Sequence, residues 1–226
     1  NIGGDSEQEY FADGITEDII TNLSLWKTFP VISRNSSFSF KGKSKSLKEV
    51  SKELGVRYIV EGSVRKGGNK VRITAQLIDS ETDHHIWSEK WDRSLEDIFD
   101  VQDEVSASIA AKVNPSLTGY EQNRLERNRP SNLGAWDEYL KGLRYFNERA
   151  RTDNNDTNLE KAKEKFSKAI QIDPLFSETY SMLALCELME LAQFISKDRK
   201  ETINSIYSYA QKSLSLDAEN SLALNM

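Results

Sequence analysis

The chain has 226 residues, a net charge of −6, and 38% hydrophobic and 29% charged residues. That length exceeds one average domain, so two domains are expected, and the acidic balance argues against a nucleic-acid surface, whose footprint is basic. No apolar run approaches the roughly 18 residues of a membrane span, and no signal-peptide pattern opens the chain, so no membrane contact is expected of it.

A single cysteine, Cys186, rules out an internal disulfide framework and suits a reducing, cytoplasmic compartment. Its apolar helical surroundings predict a buried, inert thiol. The chain opens on Asn1 rather than Met and closes at Asn225-Met226 inside a helical pattern, as a piece of a longer protein would.

In chain order, Phe11, Ile15, Ile19, Leu23 and Trp26 recur at spacings of three and four, which predicts a one-faced helix over 10–26 with Asp13 or Thr16 capping its start. Phe29-Pro-Val-Ile-Ser-Arg34 reads as a short strand. Ser46-Leu-Lys-Glu49 is a capping box for a helix that Gly55 closes. Strands follow at about 57–66 and 70–79, joined by Lys66-Gly-Gly-Asn69, whose residues suit the positive φ angles of a tight hairpin. Val71, Ile73, Ala75 and Leu77 alternate with Arg72, Thr74 and Gln76, so the second strand has one dry and one wet face. Ser80-Glu-Thr-Asp83 turns into a third strand, His84–Trp91, on which Trp87 and Trp91 share a face. Ser94-Leu-Glu-Asp97 starts a helix whose Leu95, Ile98, Gln102, Val105, Ile109 and Val113 track one side.

Helix, strand, helix, three antiparallel strands and a helix make an α+β domain over 1–115, with helices packed on a small sheet. Its first strand reads as truncated, because Asn1-Ile-Gly-Gly-Asp5 has the character of a strand's exit loop. Residues 116–133, holding Gly119 and Pro130, read as a linker. Only helices are expected over 134–226. There Gly142, Tyr145, Ala162, Phe166, Ala169 and Pro174 fit the small/large pattern of a tetratricopeptide repeat, lengthened by the polar insert Arg151–Thr157. Tyr180, Leu183 and Ala184, then Tyr207, Ala210, Ser213 and Leu216, form a second repeat, and Ser221-Leu-Ala-Leu224 begins a third. Ile170-Gln-Ile-Asp-Pro174 and Leu214-Ser-Leu-Asp-Ala218 are the same repeat end seen twice.

Several words in the first domain carry a resemblance: Phe11-Ala-Asp-Gly14, Arg34-Asn-Ser-Ser37, Tyr58-Ile-Val-Glu-Gly-Ser-Val-Arg65, Arg72-Ile-Thr-Ala-Gln-Leu-Ile-Asp79, Ile86-Trp87 and Trp91-Asp92. Residues 1–115 resemble the TolB-amino-terminal-like module. Followed directly by tetratricopeptide repeats, that arrangement is similar to the C-terminal region of bacterial class III adenylate or guanylate cyclases, and also to regions behind winged-helix transcription activators. The resemblance implies a non-catalytic regulatory and protein-interaction region whose catalytic domain lies upstream.

Candidate chemistry is sparse. Asp13 and Glu17 lie one helical turn apart and could face a shared metal or proton, which would suit a small metal-dependent enzyme, but acids near a helix start more often offset its dipole. His84 and His85 are strand neighbours pointing to opposite faces, so they cannot chelate one ion. The bases Lys41, Lys43, Lys45, Arg65, Lys66, Lys70 and Arg72 could touch an anion, although such charges usually solvate a loop or strand face. No catalytic residue, metal or cofactor is expected.

By repeat position, Trp136, Tyr139, Leu143, Phe146 and Asn147, with Glu178, Ser181, Leu185, Leu188 and Met189, would line a groove for a peptide or partner helix. Trp136 and Tyr139 have a competing role, packing against the first domain. The apolar end near Leu216, Leu222 and Leu224 is expected to fray or to pair with a second copy.

Overall fold

A computed structural model of the chain describes residues 6–26, 29–114, 131–149, 155–193, 196, 198–218 and 220–226. The chain divides into two compact units, Asn1–Arg127 and Asn128–Met226. Most of the expected linker and all of Asn1–Asp5 lie outside the described residues.

The first unit is built around β2 (Lys70–Asp79), flanked antiparallel by β1 (Tyr58–Gly67) and β3 (His84–Ser94). The alternation in β2 decides which face is dry. Val71, Ile73, Ala75 and Leu77 are all buried, and the three larger of them each contribute about 1.5–3 kcal/mol. Trp91 stands opposite Ile73 and Trp87 opposite Leu77, with the two indole rings 5.9 Å apart. The expected shared face is therefore formed, and Trp91 belongs to the core. Of the hairpin residues Gly67, Gly68 and Asn69, only Gly68 takes a positive φ.

Helix α1 (Ser6–Ser24) and helix α4 (Ile98–Val113) pack against this sheet and each other. Phe11, Ile15 and Leu23 of α1, and Trp26 just beyond it, are buried, as are Ile98, Val101, Val105 and Ile109 of α4. Gln102 interrupts the apolar stripe of α4 without penalty, because its Nε2 donates to Asp18 Oδ2 at 2.8 Å. Asn22 Nδ2 likewise donates to Asp103 Oδ1 at 3.1 Å, so two polar ties fix how α1 lies on α4.

Two local expectations are corrected. Helix α1 begins at Ser6, so Asp13 and Thr16 are interior positions, and Thr16 Oγ1 donates back to the Ala12 carbonyl at 2.8 Å. Residues 29–33 form no strand: among the described residues no neighbouring strand shares a ladder with them. Ser33 instead caps a short helix α2 (Arg34–Phe38), its Oγ accepting from the Ser36 N–H. A helix starts at Ser94-Leu-Glu-Asp97 as expected, by a 3₁₀ turn, Leu95–Asp97, that leads into α4 without a side-chain cap from Ser94. The capping box is present as read. In helix α3 (Leu47–Leu54), Ser46 and Glu49 cap each other reciprocally, and Gly55 ends the helix in left-handed backbone at φ 67°.

The second unit is helical throughout its described residues: α5 (Leu133–Glu148), α6 (Asn155–Ile172), α7 (Ser177–Ala192), α8 (Arg199–Leu216) and the single turn α9 (Ser221–Leu224). Helices α5, α7 and α9 begin at residues 133, 177 and 221, each 44 after the last, and α6 and α8 begin at 155 and 199, again 44 apart. The polar stretch expected as an insert contributes its end to α6, and much of the added length lies in helices of 16 and 18 residues.

That period puts the two helix pairs in one register. A Cβ on Gly142 would lie 2.5 Å from the Phe166 ring, so α5 and α6 meet where one side chain is missing and a large one fills the space. Forty-four residues on, the same positions hold Cys186 and Ala210, both buried, which exchanges the large and small partners.

Gly142→Ala is expected to lower stability by about 1–3 kcal/mol through overpacking. Adding Phe166→Leu should recover part of that loss in urea unfolding, because the leucine vacates the space the new methyl needs.

Candidate functional site

The two carboxylates singled out on α1 are brought close but not to a common ligand. Each is taken by a base from the segment that follows. Glu17 Oε2 lies 2.7 Å from Arg34 Nε, and the Arg34 guanidinium sits 4.1 Å from the centroid of the buried Phe38 ring. Asp13 binds Lys41 Nζ at 2.6 and 2.7 Å, and Lys41 also reaches Glu9 at 2.6 Å. Burial raises the Glu17 carboxyl above its ordinary value, and Arg34 partly opposes that shift. The distinctive words around Asp13-Gly14 and Arg34-Asn-Ser-Ser37 thus meet in a tie that holds α2 and the following loop on α1.

The other candidates separate. His84 and His85 are both exposed at the start of β3. Among the described residues no group of three or more His, Cys, Asp or Glu side chains could hold a metal. The hairpin bases divide between two faces: Arg65 and Arg72 stand opposite each other, with Arg72 paired to Asp92, while Lys66 Nζ lies 5.0 Å from the Phe11 ring on the other face of the sheet. Lys45 is paired with Glu53.

The wet face of the sheet collects residues that sequence reading left as mere alternation. Glu61, Gln76 and Ser88 stand side by side across the three strands, and Ser63, Thr74 and Lys90 form the next row. A shallow depression of about 350 Å³ is lined by Glu61, Gly62, Ser63, Thr74, Ala75, Gln76 and Ser88. Ser63 and Thr74 bond to each other through their hydroxyls at 2.8 Å. A Cβ on Gly62 would fall 2.3 Å from the Thr74 carbonyl oxygen, so only glycine allows β1 and β2 to approach here. The period-two pattern locates this face, but the close approach has no sequence signal besides the glycine itself.

Of the ten residues expected along a groove, Trp136 (2% exposed), Leu143 (6%), Phe146 (8%) and Ser181 (1%) are buried. Tyr139 is half-buried and packs within its own unit, 4.9 Å from the Phe176 ring and 5.7 Å from Phe166. Asn147, Glu178, Leu185, Leu188 and Met189 remain half-buried. The surface open to a partner is accordingly narrower than the repeat position implies, because these helices pack closely enough to enclose their large side chains. Between α6 and α7, Lys163 is held by Glu187 at 2.8 Å and Glu190 at 2.9 Å. Cys186 is fully enclosed, and burial pushes its thiol up to about 12, which makes it inert as a nucleophile.

No protein-family model matches the chain. It is similar to a protein of Rhizobium meliloti (strain 1021) named "Putative adenylate cyclase 3", with 39% identity over 217 residues, which is 96% of this chain and 36% of that protein. The chain therefore spans about a third of the length of the curated relative it matches. Among the described residues no helix is long and apolar enough to cross a membrane.

The ion pairs on α1 differ in what their loss should do. Arg34→Ala leaves Glu17 without its cation in a mostly enclosed site and is expected to cost about 1–3 kcal/mol at neutral pH. Glu17→Gln in the same chain should relieve much of that cost. Asp13→Asn, which breaks a more exposed pair, is expected to change stability by about 0–1 kcal/mol. Urea denaturation of the four proteins checks all three statements.

Proposed function

We propose that this chain is the non-catalytic regulatory and protein-interaction region of an adenylate-cyclase-related protein. The observation that carries the reading is the 39% identity along 96% of this chain to a stretch making up only 36% of a protein named as an adenylate cyclase. A region of that relative size accompanies further chain, and its own polar groups fit a binding role better than a catalytic one. The carboxylates nearest to a catalytic arrangement, Asp13 and Glu17, are each engaged by a base and serve to hold α2 and its loop in place.

On this reading the α+β unit is a TolB-amino-terminal-like module that senses or docks. The helical unit is a tetratricopeptide-type array with a 44-residue period. Its half-buried side chains Asn147, Glu178, Leu185, Leu188 and Met189 are the part of the expected groove still accessible to a peptide or partner helix. Regulation would consist of a binding free-energy difference passed to the output domain.

The test compares a longer protein containing this region with the same protein lacking residues 1–226, assaying cyclic nucleotide formation from ATP and from GTP. Synthesis by both, with a several-fold change in rate or a change in oligomeric state on deletion, is the expected result. Absence of any cyclic nucleotide from the longer protein overturns the cyclase assignment. Unchanged rate and assembly overturn the regulatory role, and synthesis by residues 1–226 alone overturns the non-catalytic one.

A further inference from the structure

Residues 29–45 differ from the rest of the first unit in how they are bonded. Among the described residues, every backbone hydrogen bond of this segment joins two of its own members, as when the Ser37 N–H donates to the Ser33 carbonyl, Ser39 to Asn35 and Lys41 to Phe38. The serine side chains also bond inward. Ser37 Oγ donates to the Ser33 carbonyl and Ser39 Oγ to the Ser36 carbonyl. Neither the sheet nor a long helix shares a backbone hydrogen bond with it.

Side chains do the attaching. Of residues 29–45 only Phe38 is buried, and two cations flank its ring, the Arg34 guanidinium at 4.1 Å and Lys41 Nζ at 5.9 Å from the centroid. The same two cations reach α1. There Glu9, Asp13 and Glu17 follow one another at intervals of four, which sets three carboxylates in one row along the helix. Lys41 takes Glu9 and Asp13, and Arg34 takes Glu17. At the other end Lys45 pairs with Glu53 of α3, and Gly42, in left-handed backbone at φ 73°, turns the chain between Lys41 and that anchor.

Two consequences follow from this wiring. Letting go of α1 breaks no hydrogen bond of the sheet, α1 or α4, so the loss is confined to one buried ring and the ion pairs. Segments with few buried side chains and self-contained backbone bonds are the ones that open locally, well before the whole fold does. The ion pairs are also within reach of salt. Lys41 is 36% exposed and its partners Asp13 and Glu9 are 30% and 50% exposed, whereas Arg34 and Glu17 are more enclosed, at 18% and 26%. Screening therefore acts most on the Lys41 pairs. With the cations gone, the carboxylate row on α1 is left with like charges one turn apart, which repel.

We propose that residues 29–45 are a strap that opens as a unit while the sheet, α1 and α4 stay folded, and that ionic strength sets how often it opens. Closed, the strap neutralises the acidic row of α1 and keeps Phe38 covered. Open, it bares that row and frees the Phe38 ring, so the first unit exchanges a neutralised patch for an acidic surface beside a loose basic and aromatic segment.

The experiment is amide hydrogen exchange on the 226-residue chain at low and high NaCl, following the Ser37, Ser39 and Lys41 amides against those of α1 and β2. A five-residue helix does not persist alone, so these strap amides exchange freely once the strap lets go. They should exchange through an opening far more frequent than that of β2, and the opening should grow about threefold or more between about 0.05 M and about 1 M salt. The α1 and β2 amides should not share that growth. Lys41→Gln should raise strap opening about threefold or more at low salt and reduce its salt dependence, and Arg34→Gln should raise it about tenfold. Lys48→Gln, which removes an exposed charge outside the strap, should leave it unchanged. The proposal is overturned if the strap amides exchange only as slowly as those of β2, or if α1 opens together with them. A salt-independent opening, or a Lys41→Gln chain that behaves like Lys48→Gln, overturns it equally. None of these outcomes bears on the cyclase assignment, which is read from product formation by the longer protein.

Discussion

The strict alternation along β2 is the constraint on which the first unit depends. One face of that strand, Val71, Ile73, Ala75 and Leu77, is completely enclosed, and both hairpins, both large helices and Trp91 take their positions from it. A shift of one residue would present Arg72, Thr74 and Gln76 to the core and expose the aliphatic row, so register is fixed by side-chain burial as well as by the Gly68 turn. The polar ties are subordinate. Gln102 with Asp18, and Asn22 with Asp103, select how α1 and α4 lie on each other after the apolar face has brought them together.

The helical unit relies on a different device. Its helices lack a central strand and depend on how closely two cylinders approach, which here is set by pairing a small residue with a large one. Gly142 meets Phe166, and the positions 44 residues on hold Cys186 and Ala210, both buried, so the two pairs meet the spacing problem with different residues. Charge adds direction between neighbouring helices, as with Lys163 of α6 held by two glutamates of α7. Where α9 meets α7 and α8, the packing changes from apolar to hydroxyl and amide groups, and stability there rests on hydrogen bonds that tolerate little displacement.

Elements whose signals are local were legible in the sequence. The Ser46–Glu49 capping box, the Gly55 terminator, the β1–β2 hairpin and the alternating face of β2 each depend on residues within a few positions of one another. The failures depended on distant partners. Phe29–Arg34 has strand-like composition, but a strand needs a neighbour, and Ser33 uses its extended backbone to cap α2 instead. Asp13 and Thr16 resemble caps, but α1 continues back to Ser6. The candidate groove was read from repeat position, which gives the side of the helix and not the depth of burial. Trp136, Leu143, Phe146 and Ser181 are therefore enclosed, while Leu185, Leu188 and Met189 are only half covered. The Glu17–Arg34 pair was invisible because neither residue carries a mark of the other, although Arg34 lay within the words that carried the resemblance.

The exchange of large and small residues between the two helix pairs also acts as an address. Were α7 to pair with α6 in place of α5, the Cys186 side chain would press into the Phe166 ring. Were α5 to pair with α8, Gly142 would face Ala210 across an empty space where a phenyl ring belongs. Overpacking of the first kind costs about 1–3 kcal/mol and a void of the second about 3–5 kcal/mol, so a swapped arrangement is penalised whichever helices meet. Two pairs cut to the same length and period, which could otherwise exchange partners within one chain or between two, are thereby told apart by a single pair of positions.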